Sequence, residues 1–172
     1  MIETARLKVV PATVNLVRAE IGDPREFGQL LGAIVPEGWP PETLRDALPV
    51  FLGWLEAAPD RVGWFGWYAL ALSEVTGIAV LVASGGFKGP PQAGAAEIGY
   101  AVLPQYQGRG YATELVGGLI RWALRHPCVD RIVAETESSN PASVRVLQRA
   151  GFIPDGVAAA PHGARFVYSR KI

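Results

Sequence analysis

The sequence predicts an α+β fold around one mixed sheet, in a single domain over residues 1–172. Three observations predict it. A chain of 172 residues with 49% hydrophobic content is long enough to bury one good core. Strand-like and helix-like segments alternate irregularly, with no internal repeat and no regular βαβ order. The stretch Ala96–Ala112, AEIGYAVLPQYQGRGYA, runs from an apolar strand through a proline into a glycine-punctuated turn and then a long amphipathic helix.

Taken in order, Ala5–Val10 reads as a strand, and Thr13–Ile21 and Asp23–Leu31 read as short helices. Asp23 is the N-cap of the second, with Pro24 at its first helical position. Val35–Pro41 (VPEGWPP) is a loop. Glu42–Ala57 follows as a helix, with Leu44, Leu48, Phe51, Leu52 and Leu55 on one face, and Pro49 costs it a hydrogen bond or kinks it. Trp64–Leu72 and Gly77–Ala83 are antiparallel strands turning near Ser73–Thr76, and Gly85–Gly94 is a Gly/Pro-rich mobile loop. Ile98, Tyr100 and Val102 alternate with Gly99, Ala101 and Leu103 in a buried strand that Pro104 ends. Leu115, Leu119, Ile120, Ala123 and Leu124 then recur at helical spacing from about Gly110. A strand at Arg131–Thr136, a helix at Pro141–Ala150, and terminal strands near Phe152 and at Ala164–Arg170 complete the order.

The glycine turn carries chemistry. Gly108 and Gly110 lack Cβ atoms, so the backbone can take positive φ and converge its N–H groups on a close ligand. The turn opens a helix, whose first amides lack intrahelical partners and carry the positive end of the dipole, so a phosphate is the natural guest. The P-loop pattern GxxxxGK[ST] occurs nowhere, and Gly85–Gly89 (GGFKG) has neither its spacing nor its hydroxyl, which argues against a nucleotide triphosphatase. The dinucleotide fingerprint is half met, because Thr113 stands where its third glycine belongs. What fits is Gln105–Gly110, QYQGRG, the pattern Q/R-x-x-G-x-G/A.

On that motif the chain resembles the GNAT-family, acyl-coenzyme A-dependent N-acetyltransferases. Two further segments agree. Asn140–Phe152 (NPASVRVLQRAGF) matches the family's second signature, an Asn opening a helix that closes on Gly-Phe, and Glu3–Val9 (ETARLKV) resembles the opening strand of the ribosomal-protein N-terminal alanine acetyltransferase branch. The resemblance covers about the last 80 residues firmly and the first 80 loosely. It implies a central mixed, mostly antiparallel sheet flanked by helices, and acetyl transfer from acetyl-CoA to a primary amine by direct attack in a ternary complex. The acceptor is left open between a protein N-terminus and a small amine. The alternative is a CoA-binding module with weak or no catalysis.

The resemblance also implies a site. The amides of Gln107, Gly108, Arg109, Gly110, Tyr111 and Ala112, with Thr113 nearby, would hold the pyrophosphate. Ala101, Val102 and Leu103 would pair with the pantetheine arm, the N–H of Val102 facing the thioester carbonyl. Glu97, in an Ala-Glu-Ile context like that of the histone-acetyltransferase branch, is the candidate base; the other reading is a solvated strand-end carboxylate or one that orients substrate. Glu135 and Glu137, on one face of the next strand, are the reserve, either as bases or as attraction for a cationic amine. Many members carry a tyrosine acid seven residues after the signature asparagine, and here that position is Leu147. Ser143, a water, or no acid then remains. Ser143 reads equally as a helix-start hydroxyl, and Asn140 as a cofactor contact or an N-cap. Trp39, in a Pro/Gly-flanked loop, is a candidate wall for the acceptor pocket or ordinary packing.

Other features narrow the class. Sixteen basic residues balance sixteen acidic ones without a charged block, so no nucleic-acid partner is expected. The single cysteine, Cys128, excludes an internal disulfide and fits a reducing compartment; it reads as a small buried side chain. His126 and His162 have no partner at metal-ligand spacing, so no metal is expected. Trp54, Trp64, Trp67 and Trp122 read as core. Met1–Arg6 shows no signal pattern and the apolar run Val62–Leu72 is too short to span a membrane, so the expectation is a soluble, cytoplasmic protein with no membrane partner. An exposed strand near Phe166–Tyr168 would allow a homodimer by edge pairing.

Overall fold

The computed structural model describes residues 1–73, 75–157 and 163–169; His162 and the expected strand end at Arg170 lie outside them. Among the described residues eight strands form one sheet: β1 (Ile2–Glu3), β2 (Leu7–Pro11), β3 (Gly66–Leu72), β4 (Ala79–Phe87), β5 (Ala95–Val102), β6 (Arg131–Glu137), β7 (Ile153–Val157) and β8 (Gly163–Ser169). Their order is β1-β2-β3-β4-β5-β6-β8-β7. Every neighbouring pair is antiparallel except β5 and β6, which run parallel. The expected α+β fold with a mixed, mostly antiparallel sheet is the fold observed.

Period-two alternation sends β3 side chains to two cores. Trp67, Ala69 and Ala71 pack with Val9, Ile98, Ile132 and the buried face of α5 (Tyr111–Ala123), Leu115 and Leu119 included. Tyr68 and Leu70 face the other way, onto α1 (Val14–Gly22), α2 (Pro24–Leu31) and α4 (Leu48–Ala57), through Leu16, Val17, Phe27 and Leu55. Local signals set these helices. Thr13 caps α1 by accepting from Leu16 N–H, and Asp23 caps α2 by accepting from Arg25 N–H at 2.8 Å, ahead of Pro24. Gly32 closes α2 in the left-handed region.

The sheet splits between β5 and β6. β5 and β6 pair from Ala95↔Arg131 to Glu97↔Val133, after which β5 keeps its partner β4 while β6 keeps β8. The last helix, α6 (Pro141–Arg149), lies beside this opening and packs on α5 and β6.

Several expectations are corrected. The helix at Glu42–Ala57 is two pieces, α3 (Glu42–Arg45) and α4, because Pro49 takes an early position in α4 where its missing N–H costs nothing. The second hairpin strand continues through Gly85 and Gly86 to buried Phe87, which shortens the expected loop. A Cβ at Gly86 would lie 1.8 Å from Phe65 O, and one at Gly85 would lie 3.1 Å from both Gly99 O and Leu115 Cδ2. These glycines therefore serve close packing inside a strand. Cys128 is exposed, and Trp54 is 40% exposed, so neither is core. β8, with Phe166 and Val167 buried, lies between β6 and β7 and offers no free edge, so the ground for dimerising through Phe166–Tyr168 falls away.

Gly86→Ala is expected to cost about 2 kcal/mol or more through its clash with Phe65 O. Gly99→Ala, whose Cβ meets nothing within 4 Å, is expected to stay within about 0.5 kcal/mol of the unmodified protein. Urea unfolding of both variants checks the contrast.

Candidate functional site

Among the described residues a cavity of about 790 Å³ opens where β5 and β6 part, larger than a second one on the α1 and α4 face. One wall is the segment after β5, where a 3-10 turn over Pro104–Tyr106 leads into Gly108 and Gly110 at φ 74° and 82°. Gly110 is the N-cap of α5 and has no side chain to fill the helix's first-turn amides, so those of Tyr111, Ala112 and Thr113 are left for a ligand. The opposite wall is the start of α6. Asn140 caps it by accepting from Ser143 N–H at 3.0 Å, and Arg145 and Arg149, one turn apart, line the cavity.

The turn is anchored from behind by the N-terminal segment. Arg6 donates to Glu114 Oε2 and to the Arg109 carbonyl, and its guanidinium stacks over Tyr111 at 5.0 Å. Burial pulls the Glu114 carboxyl upward, but hydrogen bonds from Thr4 and Arg6 outweigh it and hold the group below the usual carboxylate range.

The edge of β5 supplies the floor. Leu103 N–H bonds to Val82 O and Lys88 N–H to Glu97 O, both toward β4. Antiparallel alternation then turns the N–H groups of Tyr100 and Val102 to the opposite edge, beyond the last β6 pair at Glu97. Gln107 Nε2 bonds to Val102 O at 3.0 Å and fixes this strand end.

The second cavity, about 270 Å³, lies on the α1 and α4 face. Its walls are mostly apolar, with Leu48, Phe51 and Phe65 among them, and its charged lining residues are Glu20 and Lys88. Glu20 is 6% exposed; it accepts from Trp39 Nε1 at 2.7 Å and from the Tyr68 hydroxyl at 2.5 Å. Burial pushes its carboxyl up to about 7, against the lowering effect of those two hydrogen bonds. Burial and the adjacent Glu20 raise the Tyr68 phenol in turn. The two cavities share Tyr100 and Ala101 as lining residues. The Tyr100 hydroxyl stands 2.8 Å from Ser143 Oγ across the split, and burial raises its pKa, with the Ser143 bond opposing.

Most of the site residues expected from sequence come together. Ala101, Val102, Leu103, Gln107, Gly108, Gly110, Tyr111, Ala112, Thr113, Asn140 and Ser143 all line the larger cavity. Arg109 does not line it; its guanidinium sits over the Tyr106 ring at 5.6 Å. Glu97 lines neither cavity; it is ion-paired with Lys88, which lines the smaller one. Trp39 packs in the α1/α4 core and reaches the smaller cavity through its bond to Glu20. Glu135, on β6 opposite Arg165, lines neither cavity, and Leu147 is a buried core residue. Sequence reasoning missed Glu20, Tyr100, Arg145 and Arg149. The i, i+4 spacing of the two arginines was a usable signal, whereas nothing local marks Glu20.

Residues 15–153 match the family model described as an acetyltransferase (GNAT) domain. The chain is 29% identical over 154 residues to the uncharacterized N-acetyltransferase YjdG of Bacillus subtilis, covering 89% of each. Its fold is similar to that of the ribosomal-protein-S5-alanine acetyltransferase of Vibrio fischeri, with TM-score 0.64, 18% identity, and 97% and 94% of the two chains covered. It is equally similar to AAC(6')-Ib in complex with ribostamycin and coenzyme A, with TM-score 0.64, 17% identity, and 96% and 94% covered. Among the described residues, no helix is long and apolar enough to cross a membrane.

Glu20 makes stability pH-dependent with a definite sign. Its folded pKa lies above the unfolded value, so its contribution is full below pH 4.5 and is lost as pH rises through about 7. That shift corresponds to about 3 kcal/mol. Urea unfolding at pH 5 and pH 8 is expected to show Glu20→Gln losing less stability over this interval than the unmodified protein.

Proposed function

The chain belongs to the acetyltransferase (GNAT) family, and from that membership and the two cavities we propose that it moves an acetyl group from acetyl-CoA to a primary amine by direct attack in a ternary complex. The observation that carries this reading is the meeting of the cavities at Tyr100 and Ala101, on the unpaired edge of β5. A two-substrate transfer needs both reactants at one point.

Bound acetyl-CoA supplies the acetyl thioester and a thiolate as leaving group. The first-turn amides of α5 and the turn at Gln107–Gly110 receive the pyrophosphate, and Arg145 and Arg149 add positive charge from the facing helix. Ala101–Leu103 offer the strand edge to the pantetheine amides, and the Val102 N–H stabilises developing negative charge on the carbonyl oxygen. Glu97, paired with the cavity-lining Lys88 and about four strand residues from Ala101, takes the amine proton through intervening water. The Tyr100 hydroxyl, a phenol whose pKa burial raises further, donates to the departing sulfur, and Ser143 orients it. Tyr100 thus stands in for the tyrosine that Leu147 replaces.

Calorimetric titration with acetyl-CoA, followed by thiol release against a panel of primary amines, tests the proposal. Glu97→Gln is expected to lower kcat/KM by about 100-fold or more with acetyl-CoA affinity within about twofold. Tyr100→Phe is expected to lower kcat about tenfold or more with a similar affinity. Tight acetyl-CoA binding with no thiol released from any amine would instead indicate a CoA-binding module, and no binding at all would overturn both readings.

A further inference from the structure

Resting on the acyl transfer proposed above, we infer that the acceptor is a primary amine on a compact, ring-sized apolar body with a hydrogen-bond donor at its far end. The smaller cavity, about 270 Å³, exceeds the roughly 150 Å³ that holds a benzene ring, leaving room for a ring and a short chain. Phe51, Phe65 and Leu48 make the walls apolar, and Gly99 on the floor adds space, since a Cβ there would meet no protein atom within 4 Å.

Register gives the cavity a length. Tyr68 pairs with Ser84, and Ser84 with Ala101, so the three line one row across β3, β4 and β5. Two strand spacings separate its ends by about 10 Å. Ala101 is the end shared with the larger cavity, and Tyr68, bonded to Glu20, is the other. An amine placed at Ala101 therefore extends its far end toward Glu20. The Glu20 oxygens each accept one bond, from Trp39 and Tyr68, and a carboxyl group has further acceptor capacity for a ligand hydroxyl or N–H.

The same inventory disfavours polycations. Among the described residues the charged lining is one carboxyl and one ammonium, and the ammonium of Lys88 already holds Glu97 as its counter-ion. Glu20 can meet one further ammonium, but each one beyond that on a polyamine or aminoglycoside would lose hydration with no other carboxylate among the described lining residues to meet it.

Tyramine, phenethylamine, spermidine and ribostamycin are the probes, measured by calorimetry without acetyl-CoA and by thiol release with it. Tyramine is expected to bind, and to be acetylated with kcat/KM about tenfold above phenethylamine and about 100-fold above spermidine or ribostamycin. Glu20→Leu, which offers no acceptor, is expected to bring the tyramine-to-phenethylamine ratio close to one; the comparison on the unmodified protein needs no variant to fold. Turnover of spermidine or ribostamycin ahead of tyramine, or equal use of tyramine and phenethylamine by the unmodified protein, overturns the assignment. Tyramine bound in the calorimeter with no thiol released from any amine overturns the acyl transfer while supporting the chemistry assigned to the cavity.

Discussion

Everything at the site depends on the parting of β5 and β6. A strand inside a sheet spends the N–H and C=O groups of both edges on neighbours, and a strand at the rim of a sheet is open to any other chain. β5 is neither. Its first residues, Ala95–Glu97, pair with β6, so the strand is held deep in the molecule, while its last residues keep one edge unpaired. The result is a rigid, interior backbone edge with access from outside. Amide groups fixed by β4 on one side cost no reorganisation when a ligand meets them on the other.

The split divides the chemistry between two surroundings. Toward α5 and α6 the cavity is polar and backbone-rich, bounded by an uncapped helix start and two arginines, and suits an anionic, extended ligand. Toward α1 and α4 the cavity is apolar, and the Glu20 carboxyl in its wall is deeply buried and held by an indole and a phenol. Keeping such a carboxyl in an apolar wall costs stability above neutral pH, a cost that packing alone gives no reason to bear. Tyr100 belongs to both surroundings. Its ring packs against the α5-side core, while its hydroxyl reaches Ser143 at the start of α6.

The sequence made the larger cavity legible because its parts are local. Pro104, Gly108, Gly110 and the following helical spacing lie within one continuous stretch, and Asn140 with Pro141 announces the start of α6. Glu20 was hidden because its meaning arises across 48 residues of chain, when Tyr68 of β3 comes up against α1. On α1 it reads as one polar residue in an amphipathic helix. Tyr100 was hidden for a related reason: its place in the alternation marks it as core, and its hydrogen bond to Ser143 depends on the position of α6. Gly85 and Gly86 misled in the opposite direction. Composition marks them as loop, whereas the approach of the Phe65 carbonyl and the α5 leucines requires them within β4.

The most direct test of this account is a crystal structure of the protein with acetyl-CoA. The acetyl carbonyl should lie within hydrogen-bond distance of the Val102 N–H, between the two cavities, with the pyrophosphate on the first-turn amides of α5. An acetyl group placed away from the Tyr100–Ala101 junction, or a coenzyme bound outside the opening between β5 and β6, would contradict it.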